Sequence, residues 1–480
     1  MAKGYNGRIL RVNLTTGQMQ VEEPGEIIYR TYLGGGGLAS YYLLRELEPG
    51  VDPLSPENML IFASNVISGA PIAGMTRFTV AAKSPLTGAY GEAEAGGFWG
   101  PELKFAGFDA LIITGRAPKP CYIWIRDGAA QIRSAEKLWG LETGPAQEAI
   151  QSELGEKRAR IALIGPAGEN RVRYACVVNE LKHVNGRTGM GAVMGAKNLK
   201  AIAVRGTQKL AVHDPERLRE LSKNLAELIA RHGPNKVLRK LGTSNLIVPL
   251  NNQGILPTRN FRTGFFESAE RISGEHMAET ILKGDESCYA CAVRCKRAVR
   301  VSTGPYATSE KYGGPEYETL GSLGSLLCID DLEAISKGNE LCNRYTLDTI
   351  STGVAIGFAM ECFEAGLIDR SDTEGIDFRF GNSEAMLKGI EWIAYRKPGL
   401  GDLLADGVKI ASTKIGRGSE AFALHIKGQE LPMHDPRGKI GVGLSYALSP
   451  TGADHVRAPH DTPFQTPGPN LERIAPLGIL

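Results

Sequence analysis

Long apolar runs are missing from this 480-residue sequence, and none approaches the ~20 residues needed to cross a bilayer. The start, Met1-Ala2-Lys3-Gly4-Tyr5, lacks the apolar core of a secretory signal. The address expected from both absences is cytoplasmic, with no membrane span. Charge of one sign is lacking too: 55 Lys and Arg face 53 Asp and Glu, a net +2. Neither nucleic acid nor an anionic membrane is expected as a partner. Repeats and low-complexity segments are absent. Cysteine is sparse, with eight in the chain, and in a reducing compartment that excludes a disulfide framework.

What is present begins with 42% hydrophobic and 22% charged residues, the balance of a soluble globular protein. The length calls for two or three domains rather than one core. There are 59 glycines, many of them clustered, against a usual share of ~7%. Clustered glycine gives close backbone approach and positive φ. That suits a large cofactor cradled by loops, and equally a β domain with many turns.

The pattern predicts an α+β chain. Residues 1–207 read as β-rich: Ile9-Leu10-Arg11-Val12-Asn13-Leu14 is strand-like, and Asp127-Gly128 joins two strands in a hairpin. Short buried strands fit residues 111–114, 161–164 and 199–204. Residues 208–420 read as mainly helical. Asp214-Pro215 caps a helix over 216–231 that stops at Gly233-Pro234, and further helices fit 331–345 and 350–366. Residues 421–480 are irregular, rich in Pro and Gly, and read as the start of a third, helical C-terminal domain that is truncated here.

Three sets of residues carry chemistry. Cys288, Cys291 and Cys295 form C-x2-C-x3-C, a spacing that puts three thiolates on one face if the segment is helical. Such a trio holds an iron–sulfur cluster or part of a zinc site, or is a plain cysteine-rich helix face. Cys328, Cys342 and Cys362 sit in apolar patterns and read as structural. The second set is glycine-rich: residues 33–38, 96–103 and 186–195 expose amides, and Arg77 or Arg187 adds charge, as a phosphate-bearing cofactor needs. Taken singly, each is a turn. The third set is ionisable and comprises Glu316-Tyr317-Glu318, Met433-His434-Asp435-Pro436-Arg437 and Asp454-His455. A carboxylate and a histidine from different segments make an acid/base pair, whereas each alone reads as a surface charge or a capped turn.

Taken in order, Gly4-Tyr5-Asn6-Gly7-Arg8-Ile9-Leu10-Arg11-Val12-Asn13-Leu14, Gly97-Phe98-Trp99-Gly100-Pro101-Glu102-Leu103-Lys104, the segment Arg187 to Lys200 and the cysteine trio resemble the aldehyde ferredoxin oxidoreductase family. The likeness spans the chain. It implies a β-rich pterin-binding domain followed by mainly helical domains. It also implies a tungsten (or molybdenum) bis-pyranopterin held without a protein ligand, a [4Fe-4S] cluster, and Mg2+ bridging the pterin phosphates. By position, Arg77, Gly96, Arg187, Thr188 and Gly189 resemble pterin-site residues, with Glu94 and Thr188 offering carbonyls toward the magnesium. Leu347-Asp348 matches the end of a pterin-binding D-x-x-G-L-D, whose first acid and glycine are here Asn343 and Thr346. Glu318 and His455 match the catalytic pair, and Cys288, Cys291 and Cys295 the cluster ligands.

The resemblance implies oxidation of an aldehyde to a carboxylic acid, with electrons leaving to ferredoxin or an iron–sulfur partner subunit. Some relatives carry a Glu-x-x-His metal at a dimer interface. Lys337-Gly338-Asn339-Glu340 stands there, so any homodimer is expected to lack that metal. The family's fourth cluster cysteine lies in a C-terminal region beyond these residues, so the chain is expected to be C-terminally incomplete or completed by another polypeptide. The alternatives are a benzoyl-CoA-reductase-type active subunit of the same superfamily and a zinc-stabilised binding protein without a redox role.

Overall fold

Apolar alternation along the N-terminal strands has two directions to satisfy, and the chain meets both by stacking two sheets with helices outside them. A computed structural model describes residues 3–464 and 469–478. In one six-stranded sheet the order is Met19–Glu22, Ile9–Asn13, Ala110–Thr114, Leu60–Ser64, Phe78–Lys83, Tyr90–Ala95. In the other it is His183–Asn185, Val177–Asn179, Arg160–Leu163, Leu199–Arg205, Cys121–Arg126, Ala129–Ser134. Both are mixed: Ile9–Asn13 runs parallel to Ala110–Thr114, and Leu199–Arg205 parallel to Cys121–Arg126.

Side chains alternate across a strand, so Leu10, Phe62, Val80, Leu111 and Ile113 face the second sheet and meet Ile123, Ile125, Ala162, Ile202 and Val204 in one core. Their neighbours Ile9, Ile61, Ala63, Ala81 and Ile112 face outward and are covered by Tyr29, Leu38 and Tyr42 from helices Glu26–Tyr32 and Gly35–Glu46. On the far side, Tyr122, Trp124, Ile161 and Ala203 pack on Ala146 and Ile150 of helix Thr143–Leu154. Trp99 sits fully buried against Phe62 and Phe78, and its indole N–H donates to the Ile202 carbonyl at 3.0 Å. Lys104 and Asp109 form a buried ion pair, and Asp109 also accepts from the amides of Asn6, Gly7 and Arg8.

The helical part is built round Thr349–Glu364, whose residues from Ile350 to Cys362 are all buried. A helix apolar all round belongs at a centre, and Tyr317–Leu323, Leu332–Tyr345 and Ser383–Ala394 surround it. The helices expected over 331–345 and 350–366 are Leu332–Tyr345, capped by Asp331, and Thr349–Glu364, capped by Asp348. Pro215–Arg231 begins as expected, with the Asp214 carboxylate accepting from the Arg217 amide at 2.9 Å, but buries none of its residues. The tail is less irregular than expected, containing a short hairpin, His425–Ile426 with Gln429–Glu430, and the helix Ile440–Leu448.

The β and helical parts are sewn together at one seam. Arg344 forks onto Glu142 at 2.7 and 2.9 Å. Ala175 bridges Leu347, and Thr346 accepts from the amides of Gly165 and Cys176, each at 2.9 Å. That seam fixes Leu347 and Asp348 beside the 186–195 segment.

Candidate active site

Glu318 lies in the first turn of helix Tyr317–Leu323, which follows Gly313-Gly314-Pro315 and has the extended Glu316 at its N-cap. The positive helix end suits its charge. The irregular tail folds back over it. Glu318 Oε2 accepts from the Met433 amide at 2.8 Å, and Oε1 lies 3.1 Å from His434 Nε2 and 3.9 Å from His455 Nε2. Burial opposes ionisation of this carboxyl, but His455, His434 and the Met433 amide outweigh it and hold it down at about 2. Burial pushes His434 down to about 4, so it is neutral at pH 7 with Glu318 ionised. The two residues singled out in the sequence, Glu318 and His455, are thus brought together from distant segments of the chain.

Behind His434 the tail holds further titratable groups. His434 Nδ1 is 2.8 Å from Lys439 Nζ, which is also 3.3 Å from His460 Nδ1. The Tyr446 hydroxyl donates to the His434 carbonyl at 3.0 Å, and the Tyr317 ring packs on the imidazole. His434 was visible in the sequence only as one ionisable residue among many. Lys439 and His460 carried no signal at all, because nothing in a K-x-G or P-H context announces a contact made by chain folding.

In the β domain, Arg187 is buried. It donates through Nε to Asp348 Oδ2 at 3.2 Å and through its Nη atoms to the carbonyls of Ala453 and Glu430. Asp348 serves two partners at once, since Oδ1 caps Thr349–Glu364 through the Ile350 amide while Oδ2 takes Arg187 and the Ser351 hydroxyl. Thr188 stands at φ +68°, and its carbonyl accepts from Ser84 Oγ at 2.8 Å. Gly189 follows at φ +81°, where a Cβ would come 2.0 Å from the Arg173 carbonyl, so only glycine fits. Arg77 and Glu94 are both exposed, and Glu94 pairs with Thr79 in the adjacent strand. The wall around Glu94 still raises its carboxyl, Glu92 adds to that, and Arg77 works against it. Water therefore reaches the Glu94 carboxyl.

The cysteine trio is not helical. Cys288, Cys291 and Cys295 occupy the loop between strands Leu282–Glu286 and Lys296–Val299, and Ala290 and Arg294 within it have φ of +52° and +54°. Positive φ at two positions breaks helical periodicity, so the trio is gathered by a winding loop and not by one helix face. All three thiols are free and partly exposed. Burial raises the Cys295 thiol, and nearby Glu316, Cys288 and Cys291 add to that. Among the described residues no three Cys, His, Asp or Glu side chains close on a point as ligands of a single metal ion. The loop presses on the β domain at Gly96, where a Cβ would lie 2.7 Å from Cys288 Sγ. Cys342 and Cys362 are core residues, and Cys328 packs against that core.

The residues fit a large polar cofactor at this junction. His455 Nδ1, Gln429 Oε1, Thr79 Oγ1 and Asn179 Oδ1 are buried without a hydrogen-bond partner among the described residues, a cost that a bound polar group removes. The missing side chain of Gly96 admits Cys288 Sγ, and that of Gly97 admits Asn179 and Glu180.

Comparison with known proteins agrees with this layout. Residues 9–206 match the model of the aldehyde ferredoxin oxidoreductase N-terminal domain, and residues 220–476 that of domains 2 and 3. A tungsten-containing aldehyde ferredoxin oxidoreductase of Pyrococcus abyssi is 44% identical over 460 residues, covering 95% of this chain and 74% of the relative. One of Thermococcus kodakarensis is 43% identical over 466 residues, with the same coverage. Among solved structures, the active site complex BamBC of benzoyl coenzyme A reductase with 1,5-dienoyl-CoA superposes with a TM-score of 0.85 at 29% identity, over all of this chain and 74% of that one. On the two domain matches and these identities, the chain belongs to the aldehyde ferredoxin oxidoreductase family.

Proposed function

We propose that the chain is an oxidoreductase that converts an aldehyde and water to a carboxylic acid, two protons and two electrons. The electrons leave for ferredoxin or an iron–sulfur partner subunit. The observation that carries this reading is the Glu318 carboxylate beside His434 and His455, in a chain of this family. When bound, a tungsten (or molybdenum) bis-pyranopterin supplies the two-electron acceptor and a Lewis acid.

Arg77, Gly96, Arg187, Thr188, Gly189, Leu347 and Asp348 would hold the pterins, with Mg2+ between their phosphates near the carbonyls of Glu94 and Thr188. Thr188's carbonyl already takes the Ser84 hydroxyl, which leaves it one lone pair. Cys288, Cys291 and Cys295 would hold the [4Fe-4S] cluster, whose usual four thiolates require one more. Glu318 removes a proton from the attacking water, and His455 donates to the carbonyl oxygen as negative charge builds there. A carboxylate with so low a pKa keeps a proton only briefly, so it must pass it on.

A second reading draws on the likeness to benzoyl coenzyme A reductase, reduction of an aromatic thioester. His455 beside Glu318 and the higher identity to the aldehyde enzymes favour the first. Anaerobic purification with metal analysis tests the proposal. Tungsten or molybdenum with iron, and a visible spectrum bleached by dithionite, support it, while zinc alone would overturn it.

A further inference from the structure

Lys439 is 2% exposed, yet among the described residues it forms no ion pair with a carboxylate; its ammonium nitrogen instead meets two imidazoles. Burying a lysine this way is costly, and a methionine of similar length would fill the same space, so packing alone gives no reason for it. The contacts form one line. Glu318 Oε1 is 3.1 Å from His434 Nε2, an ion-pair distance at which Oε1 has no aligned hydrogen bond among the described residues. His434 Nδ1 is 2.8 Å from Lys439 Nζ, and Lys439 Nζ is 3.3 Å from His460 Nδ1. His434 and His460 meet edge to face at 4.2 Å between centroids. His460 is partly exposed and lines a surface cavity of about 320 Å³, together with Gly438, Ile440, Pro459, Asp461 and Phe464. The line starts at the candidate base and ends in water.

We infer that Glu318, His434, Lys439 and His460 form a proton relay that carries protons released in the active site to that surface cavity. The inference rests on the reading of the chain as an aldehyde oxidoreductase, a reaction that must shed two protons for each aldehyde consumed.

The hydrogen bonds set the direction each ring faces. His460 Nε2 lies 3.0 Å from the His455 carbonyl, which can only accept, so the proton sits on Nε2 and Nδ1 is left to face Lys439. The remaining charged neighbours are otherwise engaged. Asp435 pairs with Arg437, and Asp461 accepts from the Gly441 and Val442 amides. Tyr317, Tyr446 and His455 complete the surroundings of His434. Burial lowers Lys439 to about 8, with Glu318 and Asp461 opposing, so its neutral amine is within reach at physiological pH. In that form Glu318 gives a proton to His434 Nε2 while His434 Nδ1 gives one to the amine. Lys439 then protonates His460 Nδ1, His460 releases its Nε2 proton to the water of the cavity, and rotation of both imidazoles restores the starting tautomers. One proton enters at Glu318 and one leaves at the surface for each passage. The electrons take no part and go to two oxidised one-electron iron–sulfur acceptors.

The test uses metal-loaded enzyme and its His460→Ala, His460→Gln and Lys439→Met variants, in single turnover with a short-chain aldehyde in weak buffer containing a pH-indicator dye. Wild type releases protons as fast as it is reduced. Both His460 variants slow that release about tenfold or more with little change in KM, and imidazole restores it while the much weaker base pyrazole does not. Lys439→Met is slow with or without imidazole, because the break lies inside. Release as fast as wild type in the His460 variants, or equal rescue by imidazole and pyrazole, would overturn the relay. Failure of the wild type to consume any aldehyde would instead refute the functional reading beneath it.

Discussion

The Thr346 position, where the family motif has glycine, gives a prediction in which opposing effects can be weighed. Thr346 is fully buried at φ +66°, in the left-handed region, as the residue ending helix Leu332–Tyr345. A β-branched residue there is strained by about 1–2 kcal/mol, and glycine would relieve it. Two effects oppose that gain. Glycine enlarges the unfolded ensemble, costing about 0.4–1 kcal/mol. The threonine hydroxyl also accepts from the Gly165 amide at 2.9 Å, and removing it leaves a buried N–H unpaired, costing about 1–3 kcal/mol. Thr346→Gly should therefore destabilise by about 1 kcal/mol. Thr346→Ala keeps the strain and loses the acceptor, for a loss of about 2–3 kcal/mol, and Thr346→Ser should stay within about 0.5 kcal/mol of wild type. Hydrogen exchange read on peptides containing Gly165 and Cys176 reports the seam directly, without assuming that a multidomain chain unfolds in one step. If Thr346→Gly protects those amides as well as threonine does, the hydroxyl is not what compensates the strain.

Glu318→Gln should lower kcat/KM for an aldehyde by about 10²–10⁴-fold, measured in steady state with a viologen acceptor. Because the Glu318 carboxyl is lower in the folded chain than its ordinary 4.5, its ionisation stabilises fully above that value. The stabilisation, roughly 3 kcal/mol by the usual conversion, is lost as pH falls towards about 2. Acid titration of Glu318→Gln should lack that component. Gly96→Ala puts a Cβ 2.7 Å from Cys288 Sγ and should displace the cysteine loop, reducing iron per chain with the β domain still folded by circular dichroism. Asp109→Asn leaves Lys104 buried without its charge partner and should cost about 3–5 kcal/mol, seen as a lowered denaturation midpoint.

Strands and helices were readable where pattern and punctuation agree. Asp214-Pro215 and Asp331 mark helix starts through side chains that do accept the expected amides. The β and helical regions followed from periodicity together with turn and cap residues such as Asp127-Gly128 and Asp214-Pro215. The cysteine spacing misled about conformation, since steps of three and four suit a helix but Ala290 and Arg294 turn the chain the other way. Glu318 and His455 were recognisable through likeness to a family, not through their surroundings. Their meeting, and the row of His434, Lys439 and His460 behind them, depends on a tail folding back over a helix start more than a hundred residues away. Short-range pattern carries no record of that contact, because it forms only when the tail packs, Met433 into the helical core and Val442, Tyr446 and Ala453 against one another.

The central claim is tested most directly by turnover of the metal-loaded enzyme, with aldehydes and aromatic thioesters compared side by side under anaerobic conditions. Two electrons delivered to a one-electron acceptor for each aldehyde converted to acid, lost in Glu318→Gln, is the result expected here. Reduction of the aromatic thioester with no aldehyde consumed would contradict it.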